Sequence, residues 1–94
     1  MRFEWSSEKN AWLREHRRIS FDEIIVHLER GDVWKTSPHP NRKKYPHRSI
    51  AFVIVNDYVY LVPFEVAGEV IVLGTIIPSR KATRQYRNEK ENQP

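Results

Sequence analysis

The stretch Ser49–Ile77, SIAFVIVNDYVYLVPFEVAGEVIVLGTII, decides how this chain folds. It holds three runs rich in Val, Ile, Phe and Tyr: Ile50 to Val55, Tyr58 to Val66, and Val70 to Ile77. β-branched and aromatic side chains pack well on a pleated surface, so each run reads as a strand. Asn56-Asp57 and Ala67-Gly68 separate the runs and suit tight hairpin turns, which predicts an antiparallel meander. Pro63 interrupts the middle run, and its missing N–H predicts a bulge there. The unbroken apolar stretch Ala51-Phe52-Val53-Ile54-Val55 predicts a sheet covered over much of both faces.

Outward from the sheet, the N-terminal half reads as helical. Arg2 to Trp5 alternates weakly, as a short strand would, and Ser6-Ser7-Glu8 supplies an N-cap and an acid for a first helix running to about His16. Ser20-Phe21-Asp22-Glu23 has capping-box spacing, and Phe21, Ile24, Ile25 and Leu28 recur at i, i+3, i+4, i+7. That second helix has an apolar stripe to lay on the sheet and ends at Gly31. Val33 to Thr36 is a candidate strand, and Ser37-Pro38-His39-Pro40-Asn41 begins a loop. After Pro78, the segment from Arg80 to about Lys90 reads as a short basic helix or an extended tail. The expected architecture is a two-layer α+β domain over residues 1–90, with two N-terminal helices on a three- to four-stranded antiparallel sheet. Residues 91–94 are expected to be a disordered tail.

Composition narrows the function. The 94 residues are 39% hydrophobic and 30% charged, enough apolar content for one small core. The absence of cysteine excludes disulfides and thiolate zinc sites and permits a cytoplasmic setting. Met1 to Trp5 lacks the apolar run of a secretory signal, and no stretch approaches the roughly 20 apolar residues of a membrane span, so a soluble, cytoplasmic protein is expected. The formal net charge of +4 is unevenly spread: 0 over residues 1–36, +4 over 37–48, −3 over 49–78 and +3 over 79–94. Two basic segments flank a mildly acidic sheet, an arrangement that attracts a phosphate backbone.

No glycine-rich phosphate loop, HExxH or GxSxG occurs, which argues against nucleotide triphosphate and serine hydrolase chemistry. His39 and His47 share a loop without a carboxylate or cysteine beside them and make a poor metal pair, so no metal or other cofactor is expected. Arg42, Lys43, Lys44, Tyr45, His47 and Arg48 interleave cations with an aromatic ring, as binders of single-stranded RNA do. The closing segment suggests more specific chemistry. RNA cleavage by its own 2′-hydroxyl needs a base, an acid and cations, but no metal. Arg80, Lys81 and Arg84 are candidates to clamp the phosphate, and His16, His47 or Tyr86 to move protons. His16 has a plainer reading as a C-terminal cap favoured by the helix dipole, and His27 is assigned no role.

Taken in order, Phe3-Glu4-Trp5, Lys9-Asn10, His16 ahead of Ser20-Phe21-Asp22-Glu23, and Ile76-Ile77-Pro78-Ser79-Arg80-Lys81-Ala82-Thr83-Arg84 resemble the BrnT toxin family. The resemblance implies a fold related to the RelE-like ribonuclease toxins, RNA cleavage that inhibits translation, and neutralisation by a co-expressed antitoxin with a DNA-binding domain. It places His16, Arg80, Lys81 and Arg84 at the family's functional positions, with Tyr86 a looser match. Two departures stand out: Ser6-Ser7 replaces the family's Asp-Pro, and Arg17-Arg18 follows the histidine where the family has glycine. The expected function is therefore a metal-independent endoribonuclease toxin. The alternative is a noncatalytic basic module that docks an acidic antitoxin or RNA. A DNA-binding repressor ranks last, because neither N-terminal helix is basic along one face.

Overall fold

The computed structural model describes residues 1–92 and runs, in chain order, β1 (Arg2–Glu4), α1 (Ser7–Arg17), α2 (Phe21–Glu29), β2 (Val33–Pro38), β3 (Arg48–Val55), β4 (Tyr58–Ala67), β5 (Val70–Leu73), β6 (Ile77–Pro78) and α3 (Arg80–Glu91). The fold is α+β, with three helices and a six-stranded mixed sheet. The strand order is β1-β5-β4-β3-β2, with β6 also pairing to β4.

The expected meander is present, and its β3–β4 ladder runs without a register shift from Val55↔Tyr58 to Arg48↔Glu65. Asn56 (φ 51) and Asp57 (φ 64) both take left-handed backbone in its two-residue turn, as a type I′ turn requires. The sheet is larger than three or four antiparallel strands for two reasons. The short N-terminal alternation finds the free edge of β5 and pairs with it in parallel. The third run breaks after Leu73, and the chain returns at Ile77–Pro78 to pair with the other end of β4.

That break explains Pro63. The bulge expected there is absent; the register shift lies instead in β2, between Val33 and Lys35. The Pro63 carbonyl accepts a hydrogen bond from the Gly74 N–H at 2.8 Å, so it faces the β5 side of the strand. A residue's N–H and C=O point to the same side of a strand, so the missing proline donor faces the gap between β5 and β6 and no bond to β3 is sacrificed.

Alternation sorts the side chains onto two faces. Ala51, Val53, Val55 and Val62, with Tyr60 and Phe64 half-buried, meet Leu13, Ile19, Phe21 and Ile24 from the N-terminal helices. The α2 stripe is seated as its spacing predicts, with Phe21 and Ile24 fully buried. Asn10, buried in α1, joins the two helices: its Oδ1 accepts from the Phe21 N–H at 2.8 Å and its amide donates to Asp22 Oδ2 at 2.9 Å. Gly31 (φ 80) ends α2 in the left-handed conformation expected of it.

The opposite face receives α3, a helix rather than an extended tail. Glu91 closes it and Asn92 caps it; of the expected disordered tail, residues 93–94 lie outside the described residues. The Val59 N–H donates to Thr83 Oγ1 at 2.9 Å, and the Val59 carbonyl accepts from the Ser79 N–H at 3.1 Å. Further along α3, Tyr86 packs edge-on to Trp34 of β2 at 5.6 Å, and Arg87 reaches Asp57 in the hairpin turn. α3 therefore crosses from the β4 edge toward β2 near the hairpin tip. No helix among the described residues is long and apolar enough to cross a membrane.

Thr83 is 3% exposed, so removing its hydroxyl leaves the Val59 N–H buried without an acceptor. Thr83→Val is expected to destabilise the fold by about 1–3 kcal/mol, with Thr83→Ser closer to wild type, as read from urea unfolding midpoints. Equal stability of Thr83→Val and wild type would show that α3 is not anchored there.

Candidate functional site

On α3 the buried flank is Ala82, Thr83 and the half-buried Tyr86. Arg80, Arg84 and Arg87, at i, i+4, i+7, share the adjoining flank, and the helix carries them past the end of the sheet beside Tyr58. Tyr58, Arg80, Thr83, Arg84, Arg87, Asn88 and Glu91 line an open groove of about 350 Å³. Arg87 is anchored: its Nε donates to Asp57 Oδ2 at 3.2 Å and an Nη donates to the Asp57 carbonyl at 3.3 Å. Arg80, Lys81 and Arg84 take part in no ion pair among the described residues.

The placement of these cations runs against helix stability. Ser79 caps the helix, its Oγ accepting from the Ala82 N–H at 3.0 Å, but the first turn holds Arg80 and Lys81 and no acid. The helix dipole disfavours cations there by roughly 0.3–1 kcal/mol each. A face selected only for solubility would carry acids at this end. Exposed guanidinium groups together with the positive end of a helix make a locus for an anion.

The second basic segment forms a separate unit. β2 runs on to Pro38 and β3 starts at Arg48, so the loop between the strands is residues 39–47 and Arg48 belongs to the sheet. The loop folds around Tyr45. The His39 ring packs against it at 4.7 Å, with the Arg48 guanidinium at 4.7 Å and the Lys44 ammonium at 5.3 Å from its centroid. Asn41 ties the turn together: its Oδ1 accepts from the Lys44 N–H at 3.2 Å, and its carbonyl accepts from the Tyr45 N–H at 2.9 Å. Arg42, Lys43, Lys44 and His47 are exposed, and Tyr45 is half-buried. Tyr45 thus serves as a scaffold that holds cations, with neighbours on its ring where a base was expected to stack.

The two clusters lie at opposite ends of the sheet. Tyr58, in the groove, pairs with Val55, whereas Arg48 pairs with Glu65. Seven residue steps along β3 separate Arg48 from Val55, about 23 Å at roughly 3.3 Å per residue. One phosphodiester cannot touch both clusters. The other candidates also divide. Lys81 is exposed on α3 but does not line the groove, and Tyr86 faces Trp34 and the sheet. His16 stands at the end of α1, stacked on Trp12 at 4.7 Å with Nδ1 3.0 Å from the Trp12 carbonyl, and no α1 residue lines the groove. That geometry matches a helix-terminal cap.

The groove also holds residues that sequence reasoning does not select: Tyr58, Arg87, Asn88 and Glu91. Arg87 carries a usable signal, because it continues the i, i+4, i+7 spacing. Tyr58 arrives through the hairpin and has no local signal. No family model, no curated protein and no solved structure matches this chain.

Beside Tyr58, the half-buried Tyr60 phenol is raised above its ordinary value near 10.0, first by burial and then by the Glu23 carboxylate and Tyr58. The folded state therefore keeps the proton longer than the unfolded chain does. Its share of stability is intact below about pH 10 and disappears as pH rises through the folded-state value. Denaturant midpoints measured across the alkaline range should fall more steeply for wild type than for Tyr60→Phe; parallel curves would contradict this.

Proposed function

We propose that this chain is a metal-independent endoribonuclease, the toxin of a type II toxin–antitoxin pair of the BrnT-like kind, acting through the α3 groove. The observation that carries the reading is that Arg80, Arg84 and Arg87 share one groove with a phenol and a carboxylate, Tyr58 and Glu91. In the reaction, the 2′-oxygen of RNA attacks the adjacent phosphorus, the bond from phosphorus to the 5′-oxygen breaks, and a 2′,3′-cyclic phosphate forms. Glu91 takes the 2′-hydroxyl proton and Tyr58 gives one to the departing 5′-oxygen. The Arg84 and Arg87 forks neutralise the phosphorane oxygens, and Arg80, roughly 16 Å along the helix from Glu91, holds a neighbouring phosphate. Both proton carriers reset by exchange with water in the open groove.

The resemblance to the toxin family supplies the biological setting: action on RNA in the cytoplasm, inhibition of translation, and a cognate antitoxin that carries a DNA-binding domain. A second reading, a noncatalytic module that binds RNA or an acidic antitoxin, draws on a specific observation. No histidine lines the groove, and His16, a family-implied position, sits on α1 as a cap.

One assay separates these readings. Purified protein incubated with RNA in EDTA should release fragments ending in 2′,3′-cyclic phosphate or 3′-phosphate. Arg84→Ala and Tyr58→Phe should each lower the rate by about 10²-fold, the usual effect of removing one transition-state donor. Induced expression should arrest growth in a bacterial host, and Arg84→Ala should relieve the arrest. RNA bound but left intact, with or without ribosomes, would establish the noncatalytic module.

A further inference from the structure

Between the two basic clusters lies a cation that neither includes. The register shift in β2 places Trp34 and Lys35 next to one another on the α3 side of the sheet. The Lys35 ammonium sits 4.4 Å from the Trp34 ring centroid and 5.0 Å from that of Phe52. Lys35 is exposed and joins no ion pair among the described residues. Phe52, its partner in the ladder, is four steps from Arg48 and three from Val55, so Lys35 stands near the midpoint of the span.

All of these groups belong to one face. Arg48 and Phe52 have the same parity on β3, opposite to Val53 in the helix-side core, and Trp34 touches both Phe52 and Tyr86 of α3. From the loop to α3 the same side therefore presents Arg48, then Lys35 over two aromatic rings, then Lys90 and Arg87. Three acids adjoin this line: Asp57, which pairs with Arg87 and Lys90, Glu65 opposite Arg48, and Glu89 beside Trp34; the last two form no ion pair with it among the described residues.

We propose that this face is a track for single-stranded RNA, with Lys35 as its midpoint contact and the 39–48 loop as a second phosphate-binding site remote from the groove. The inference rests on the RNA reading above and assigns it a footprint. A span of about 23 Å corresponds to about seven stacked nucleotides at roughly 3.4 Å each, so a four-nucleotide strand seated in the groove, about 14 Å long, meets Lys35, about 10 Å along, but not the loop. The Lys35 ammonium lies over Trp34 and Phe52, so this stretch grips phosphates rather than stacking bases and accommodates any sequence.

The test is fluorescence anisotropy with labelled 4-nucleotide and 12-nucleotide single-stranded RNAs and a 12-base-pair duplex DNA, over a salt series, on the whole chain. Wild type should bind the 12-mer more tightly than the 4-mer. Lys35→Glu should weaken both RNAs several-fold. Replacing Arg42, Lys43 and Lys44 together with alanine should weaken the 12-mer several-fold, leave the 4-mer unchanged, and flatten the salt dependence of the 12-mer by about 0.7 for each phosphate no longer neutralised. Lys35→Gln retains the stem and guards against a packing defect; circular dichroism melts confirm folding. Unchanged 12-mer affinity and salt slope in both the Lys35 and loop variants, while Arg84→Ala still weakens binding, overturns the track and leaves the groove reading standing. Duplex binding as tight as the 12-mer also overturns it. No binding of either RNA by wild type overturns both readings.

Discussion

Val59 gives both of its backbone groups to the C-terminal helix, the N–H to Thr83 Oγ1 and the carbonyl to the Ser79 N–H, and the rest of the arrangement depends on that pair of bonds. They lie where β4 has run out of strand partners on its outer edge, beyond the two residues of β6. A bare strand edge there would leave unpaired donors and acceptors. The first turn of α3 satisfies them and is itself held by them: Thr83 also donates to the Ser79 carbonyl at 2.7 Å, so one buried hydroxyl serves strand and helix together. Since the helix is fixed in rotation by Thr83, its neighbouring flank of arginines has one direction to face, past the end of the sheet and beside Tyr58.

The sheet owes its shape to a related economy of backbone partners. β4 is the spine, pairing with β3 along one side for eight residues and with β5 and then β6 along the other. Pro63 marks the changeover. Lacking an N–H, it suits the gap between β5 and β6 on that edge, where no partner strand is aligned. The excursion through Gly74, Thr75 and Ile76 that results delivers the chain to Ser79, where α3 begins. Arg17 donates to the Ile76 carbonyl at 2.6 Å and so braces the excursion from the end of α1.

Charge is distributed by the same framework. The α3 arginines stand at the hairpin tip and the 39–48 loop stands at the far end of β3, with Lys35 between them on one face. Cations at the N-terminal end of a helix, without an acid in the first turn, weaken that helix, and loop cations gathered on a single tyrosine repel one another. Both features are unfavourable for stability alone and favourable for holding a polyanion. The proposed function divides the labour: chemistry is assigned to the groove, where a phenol and a carboxylate adjoin the arginines, and grip to the strand direction.

Residue patterning alone determined the α2 stripe, the β3–β4 hairpin with its Asn56-Asp57 turn, coverage of both sheet faces, and the basic character of α3, because each depends on neighbours within a few positions. The parallel pairing of β1, the return of β6 to β4 and the harmless position of Pro63 were decided by tertiary structure, since each depends on which edge is vacant once the meander has formed. The same division holds at the site. Arg80, Arg84 and Arg87 share a flank by helical spacing and can be read from the chain. Tyr58 reaches them only through the hairpin, Lys35 comes to its face only through the β2 register shift, and the distance between the two basic segments is set by the length of β3. Local spacing fixes which side chains share an element's face, but only packing brings different elements to one place.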